Sequence, residues 1–182
     1  MSQENAPIWR KPMSLEGLNA SSRNTLMAHL GILYTAFGPD WLEASMPVDH
    51  RTHQPLGMLH GGASVVLAET LGSLAANMAV GEESYCVGLE VNANHLRGVR
   101  SGRVTAVAKA IHIGRTTQVW DIRLTNDDGK ASCVSRLTMA VVPLGEVPDP
   151  DFARLFFAIW LSPATSEPQM RSQLLAQTGA SQ

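Results

Sequence analysis

From Gly62 to Ala79 the chain reads GASVVLAETLGSLAANMA, a run of helical length that is apolar on nearly every side and carries one ionisable group, Glu69. A helix on the surface of a domain needs only one apolar stripe, so a helix that is apolar around most of its circumference must be covered from several directions. The sequence that follows offers the cover. Four runs alternate with period two: CVGLEVNANHL (86–96), RVTAVAKAIHI (103–113), TQVWDIRL (117–124) and ASCVSRLTMAVV (131–142). In them Val87, Leu89, Val91 and Ala93, then Val104, Ala106, Ala108 and Ala110, then Trp120, Ile122 and Leu124 form the apolar faces, and Asn126-Asp127-Asp128-Gly129 supplies a hairpin turn. Upstream, 29–37 and 41–48 read as two further strands around Gly38-Pro39-Asp40, and Ser14 caps a short helix through Asn19. These signals predict an α+β fold in which one antiparallel sheet wraps a single long central helix.

Composition narrows the partners. The 182 residues suffice for one domain with a proper core, and 45% hydrophobic against 16% charged residues reads as globular. A formal net charge of −2 argues against nucleic acid, which requires clustered cations in excess. No run approaches the roughly 20 apolar residues that span a bilayer, so no membrane partner is expected. MSQENAPIWRKP has no apolar core of signal-peptide length, and Cys86 and Cys133 lie far apart in strand-like runs, so reduced core thiols and a cytoplasmic setting are the simplest reading.

Several chemistries find no footing. HGGA at 60–63 invites comparison with lipase oxyanion sequences, but no G-x-S-x-G elbow, phosphate loop, dinucleotide fingerprint or H-E-x-x-H is present. His50, His53 and His60 fit no recurrent zinc spacing, so no metal is expected. The chemistry concentrates at the start of the long helix. His60-Gly61-Gly62 places amides lacking intrahelical partners at the positive end of the helix dipole, where glycines let a ligand reach the backbone and where a developing oxyanion can be held. Glu69 lies farther along, with Ser73 one turn later on the same face and able to orient it. Gln54 stands in the adjoining loop. Gly61 and Glu69 are eight residues apart, or about 12 Å along one helix, too far to serve one carbonyl carbon. A second copy packed antiparallel about a twofold axis near Val65 would bring Glu69 of one chain to Gly61 of the other, and Ala63, Ser64, Ala68 and Gly72 are small enough to allow the approach. A homodimer with two interfacial sites is therefore expected.

The pattern R-T-x-Q-P-x-G-x-L-H-G-G-A-S-x-V-L-A-E from Arg51 to Glu69 resembles hotdog-fold acyl-CoA thioesterases of the 4-hydroxybenzoyl-CoA type, most of all the 1,4-dihydroxy-2-naphthoyl-CoA and enterobactin-proofreading thioesterases. The match runs through VGLEVNANHLR (87–97) and QVWDIRL (118–124) to about Val142. The resemblance implies a hotdog fold, a dimer-of-dimers tetramer and hydrolysis of an acyl-CoA thioester without metal or cofactor, coenzyme A being part of the substrate. It implies that Gln54, His60 and Gly61 come from one subunit and Glu69 with Ser73 from its partner. Gly61 N–H would polarise the carbonyl, and Glu69 would act as nucleophile or general base. It points to His95 as a pocket residue, and the expected substrate and CoA set is Gly62, His95, Arg97, Arg100, His112 and Arg115. Arg97, Arg100, Arg103, Lys109 and Arg115 occur with no acid among them, suited either to CoA phosphates or to a solvated strand face. A hotdog hydratase or dehydratase, which also pairs His with an acid, and a non-catalytic acyl-CoA sensor are the alternatives. Positions 114–117 read Gly-Arg-Thr-Thr, a departure from the family pattern. The expected organisation is a loose arm (1–13), the hotdog thioesterase domain (14–144) and an extension (145–182) whose run FARLFFAIWL suits a surface helix or an inter-subunit contact.

Overall fold

The computed structural model describes residues 6–146. Two short helices, α1 (Leu15–Ser21) and α2 (Leu26–Leu30), precede the strands β1 (Leu33–Phe37) and β2 (Trp41–Pro47). A two-plus-two-residue hairpin, β3 (His53–Gln54) and β4 (Met58–Leu59), leads into the long helix α3 (Gly61–Met78). Strands β5 (Ser84–His95), β6 (Arg103–Ile113), β7 (Thr117–Asn126) and β8 (Ala131–Pro143) follow. The main sheet is antiparallel in the order β1-β2-β6-β7-β8-β5, and α3 lies against one face, touching β2, β5, β6, β7 and β8. This is the expected α+β architecture, a hotdog.

The core sits between helix and sheet. Leu67, Ala68, Leu71 and Ala75 on α3 and Ala106, Ala108, Trp120, Ile122, Leu124 and Leu137 on the strands are fully buried. A large apolar side chain contributes about 1.5–3 kcal/mol when so covered. Ala68 and Gly72 belong to this packing: a Cβ at Gly72 would lie 2.7 Å from Leu137 Cδ2. Ala68 and Gly72 therefore let α3 settle on its own sheet, and that flank of the helix is covered within the chain. What α3 leaves open is a narrower stripe in which Gly62 and Glu69 are exposed and Val65 is half-buried.

Several local readings differ. Residues 29–32 close α2 and turn through Gly31 (φ 71°) before β1 begins, because a left-handed cap there satisfies the last helical carbonyls. In β5 a bulge between Gly88 and Glu90 shifts the alternation, so Val87 and Leu89, read as inward, are 40% and 62% exposed, while Val91 and Ala93 do pack on the core. Residues 6–13, read as a loose arm, are tied down. Ile8 N–H donates to Pro39 O (2.9 Å) and Arg10 N–H to Met78 O (2.8 Å), while the Trp9 ring stacks on Trp120 with centroids 6.4 Å apart. Lys11 is buried and donates to Asn77 O at 2.9 Å, near the C-terminal end of α3, where a cation suits the dipole. The surface-helix or inter-subunit reading of 145–182 lies, from residue 147 onward, outside the described residues. Among the described residues no helix is long and apolar enough to cross a membrane.

Candidate active site

The start of α3 is built by its own capping chemistry. His60 is extended (φ −69°, ψ 133°) and serves as N-cap, its Nδ1 accepting from Gly62 N–H at 2.8 Å. Ala63 and Ser64 N–H groups both reach His60 O, at 3.0 and 3.3 Å. Of the first-turn amides that leaves Gly61 N–H without a partner among the described residues, the orphan donor that helix geometry creates and that an incoming oxygen can use. Gly62, expected in the substrate set, spends its N–H on His60, so what it offers is an absent side chain. His60 likewise commits Nδ1 to the cap, and only its other ring nitrogen remains to face a ligand.

His95 closes on the same spot from the sheet. It ends β5 on the helix-facing side, and a Cβ at Gly61 would lie 2.8 Å from its Nε2, so only glycine leaves room for that ring beside the orphan amide. Gln54 lies on the hairpin that delivers the helix start, since His60 N–H is held by Thr52 O at 2.8 Å; its side-chain amide makes no hydrogen bond among the described residues. His60, Gly61, His95 and the Gln54 hairpin thus gather at one end of the sheet.

Glu69 does not join them within the chain. It is exposed, and its Oε1 lies 3.5 Å from where a Cβ of Gly88 would stand, so the carboxylate rests over bare backbone of β5 two turns farther along. Ser73, expected to orient it, instead turns its hydroxyl to Met139 Sδ at 3.8 Å, because the helix packs that flank on β8. The basic residues also separate. Arg97 and Arg100 follow β5 at the His95 end, whereas His112 and Arg115 lie at the β6–β7 turn, roughly 30 Å away along an 11-residue strand. Arg103 is engaged by Ser45 Oγ at 2.8 Å and Lys109 sits opposite Asp121, which favours the solvated-face reading for these two.

Residues outside the expected site set fix the turn before the hairpin. Asp49 and Arg51 form a two-bond clasp (Nη2–Oδ2 2.6 Å, Nε–Oδ1 3.0 Å), and the Arg51 hydrogen bonds hold the Asp49 carboxyl well below the usual carboxylate range. Thr52 Oγ1 donates to Pro47 O and accepts from Asp49 N–H, fixing the turn before the hairpin. Arg51 and Thr52 were visible as the start of the family pattern; Asp49 carried no signal. Gly88 could have been found only by knowing the β5 bulge. Among the described residues no cluster of three metal-ligating side chains exists, and Cys86 and Cys133 are buried free thiols, Cys86 pushed up to about 12 by burial.

Comparison with known proteins agrees with this geometry. The family model described as thioesterase superfamily matches residues 56–133. The proofreading thioesterase EntH of Cronobacter sakazakii is 50% identical over 135 residues, 74% of this chain and 98% of that protein. The crystal structure of thioesterase HI1161 from Haemophilus influenzae superposes with a TM-score of 0.76 at 54% identity, covering 78% of this chain and 99% of the other. A mutant of thioesterase PA1618 from Pseudomonas aeruginosa gives 0.74 at 67% identity, covering 75% and 99%. An orphan amide beside a histidine at the helix start, a carboxylate on the same helix and these likenesses converge: the chain belongs to the hotdog-fold thioesterase superfamily and is a thioester hydrolase.

Proposed function

We propose that the protein hydrolyses an aromatic or medium-length acyl-CoA thioester in the cytoplasm, without metal or cofactor, at sites shared between two copies of the chain in a dimer-of-dimers tetramer. The observation that carries this is the separation of Gly61 N–H from Glu69 by about 12 Å of one helix, with Gly61 half-buried beside His95 and Glu69 exposed. A reacting carbonyl carbon needs donor and attacker within about 3–4 Å. The exposed stripe of α3 lies beside β5, an edge strand with one side unpaired, and a second copy running antiparallel can cover both. Glu69 of the partner then approaches Gly61, His60, His95 and Gln54. Gly61 N–H stabilises the thioester oxygen as it gains charge. Glu69 attacks the carbonyl carbon to give a mixed anhydride that water cleaves, or takes a proton from water as it attacks; either path expels CoA thiolate and leaves the free acid. Arg97, His112 and Arg115 supply cations for the CoA phosphates, drawn from opposite ends of the two protomers.

Subunit mixing tests the shared site. Chains carrying Glu69→Ala and chains carrying Gly61→Pro are each inactive as homodimers. After exchange in equal amounts, roughly a quarter of wild-type turnover returns, because half the dimers are mixed and each mixed dimer has one site free of both changes. Mixed dimers that form and stay inactive refute the sharing. A panel of benzoyl-, octanoyl- and acetyl-CoA, read by thiol release, fixes the acyl class.

A further inference from the structure

We infer that His53 and Arg100 form a reciprocal clamp that positions Gln54 for the reaction, and that Arg100 acts through this clamp. The inference rests on the thioesterase reading above. A hairpin of two residues per strand has no stability of its own in water and must be held from outside. What holds it is the loop between His95 and Arg103. Leu59 N–H donates to Val99 O at 2.8 Å, and Met58 Sδ occupies the space where Gly98 would carry a Cβ, 3.1 Å away. Two further bonds cross in opposite directions. From the hairpin, His53 Nε2 reaches Arg100 O at 3.1 Å; from the loop, Arg100 Nη1 returns to Leu56 O at 3.2 Å.

The two anchor points, 53 and 56, bracket Gln54 on either side. The loop that holds them continues directly from His95, which itself packs on Gly61. The clamp therefore fixes three things relative to one another: the free amide of Gln54, the imidazole of His95 and the orphan N–H of the helix. Without it the turn at Pro55-Leu56-Gly57, where Leu56 is 70% exposed, has no side-chain tie to the loop. Arg100 consequently differs from Arg97, whose side chain makes no bond among the described residues.

A phosphate ligand and a positioning residue are separable, because a truncated thioester lacks the phosphates. Wild type, Arg100→Ala, His53→Ala, His53→Gln and the double alanine variant are assayed on benzoyl- and octanoyl-CoA and on the matching N-acetylcysteamine thioesters. The expected result is a fall in kcat of about 10-fold for either alanine variant on both kinds of ester, with the double variant no worse than the poorer single one. His53→Gln, which keeps an N–H near the same position, recovers most of the loss. Melting temperatures stay at the wild-type value, since both side chains lie outside the core. A loss confined to KM for the CoA esters makes Arg100 a phosphate ligand and overturns the inference, as does full kcat in every variant. Wild-type protein that hydrolyses none of the esters removes the thioesterase reading and the clamp together, an outcome distinct from either.

Discussion

Replacing Gly61 by alanine and, separately, by proline divides two contributions made by one residue. Both put a Cβ 2.8 Å from His95 Nε2 and 3.2 Å from Cε1, where ordinary contact begins at 3.4 Å, so in both the ring must yield by about 0.6 Å. Alanine keeps the backbone N–H; proline has none. Proline is tolerated at the first helical position, and His60, at φ −69° and ψ 133°, already occupies the region that a residue before proline requires. Both chains should therefore fold. Displacing the His95 ring is expected to cost Gly61→Ala about 10-fold in kcat/KM. Gly61→Pro should lose a further ~10²–10³-fold in kcat, the worth of one oxyanion donor. Thiol release from an acyl-CoA substrate measures both, with circular dichroism melts to show that the fold is intact. Equal kcat in the alanine and proline variants would mean that the orphan amide does no chemistry.

Three further outcomes follow from the same coordinates. Glu69→Gln, isosteric but neither nucleophile nor base, should lower kcat by at least ~10²-fold while acyl-CoA still binds with near wild-type affinity in equilibrium titration. Stability should fall as pH rises above 9. Burial raises the thiol of Cys86 from 9.0 to about 12 and raises Tyr34 as well, so the unfolded chain releases these protons first and stabilisation present below 9 is lost towards 12. Cys86 contributes up to about 1.4 kcal/mol per pH unit to that decline, Lys11, lowered by burial, works in the opposite sense, and urea melts of Cys86→Ala between pH 8 and pH 10 should show a shallower loss. Asn77→Ala removes the amide that bonds Ser73 O, Cys86 O and Cys86 N–H (2.9, 3.1 and 2.8 Å), and should cost about 2–4 kcal/mol in the same assay by stranding buried backbone groups.

The frame of the molecule was legible because period and punctuation agree along most of the chain. Val104, Ala106, Ala108, Trp120, Ile122 and Leu124 all face inward as alternation requires, and Asn126 to Gly129 turns where its residue types demand, with Gly129 at φ 73°. Legibility failed where a single residue breaks the period, at Leu89, or where a long-range contact decides the outcome, as for Trp9 on Trp120. At the site, helix geometry pointed to the partnerless amides of His60-Gly61-Gly62, and the family resemblance picked out Gly61 among them. The fate of Gly62 N–H was hidden because it depends on the rotamer of His60, and Ser73 was misread because shared helical phase does not say which neighbour the hydroxyl will meet. The role of the small residues Ala68 and Gly72 could not be read either: a lack of bulk permits close approach without naming the partner.

The bulge in β5 sets a counting rule for this part of the chain. Cys86 and Gly88 look towards the helix before the extra residue, and Val91, Ala93 and His95 do so after it. Deleting the extra residue, Leu89, would leave a regular strand in which Gly88 and His95 still share the helix face, whereas deleting a second residue with it would exile either the bare glycine beneath the acid or the imidazole beside the amide. The segment can therefore lose the one residue that the bend consumes, and what it has to preserve is the shared face of its two ends.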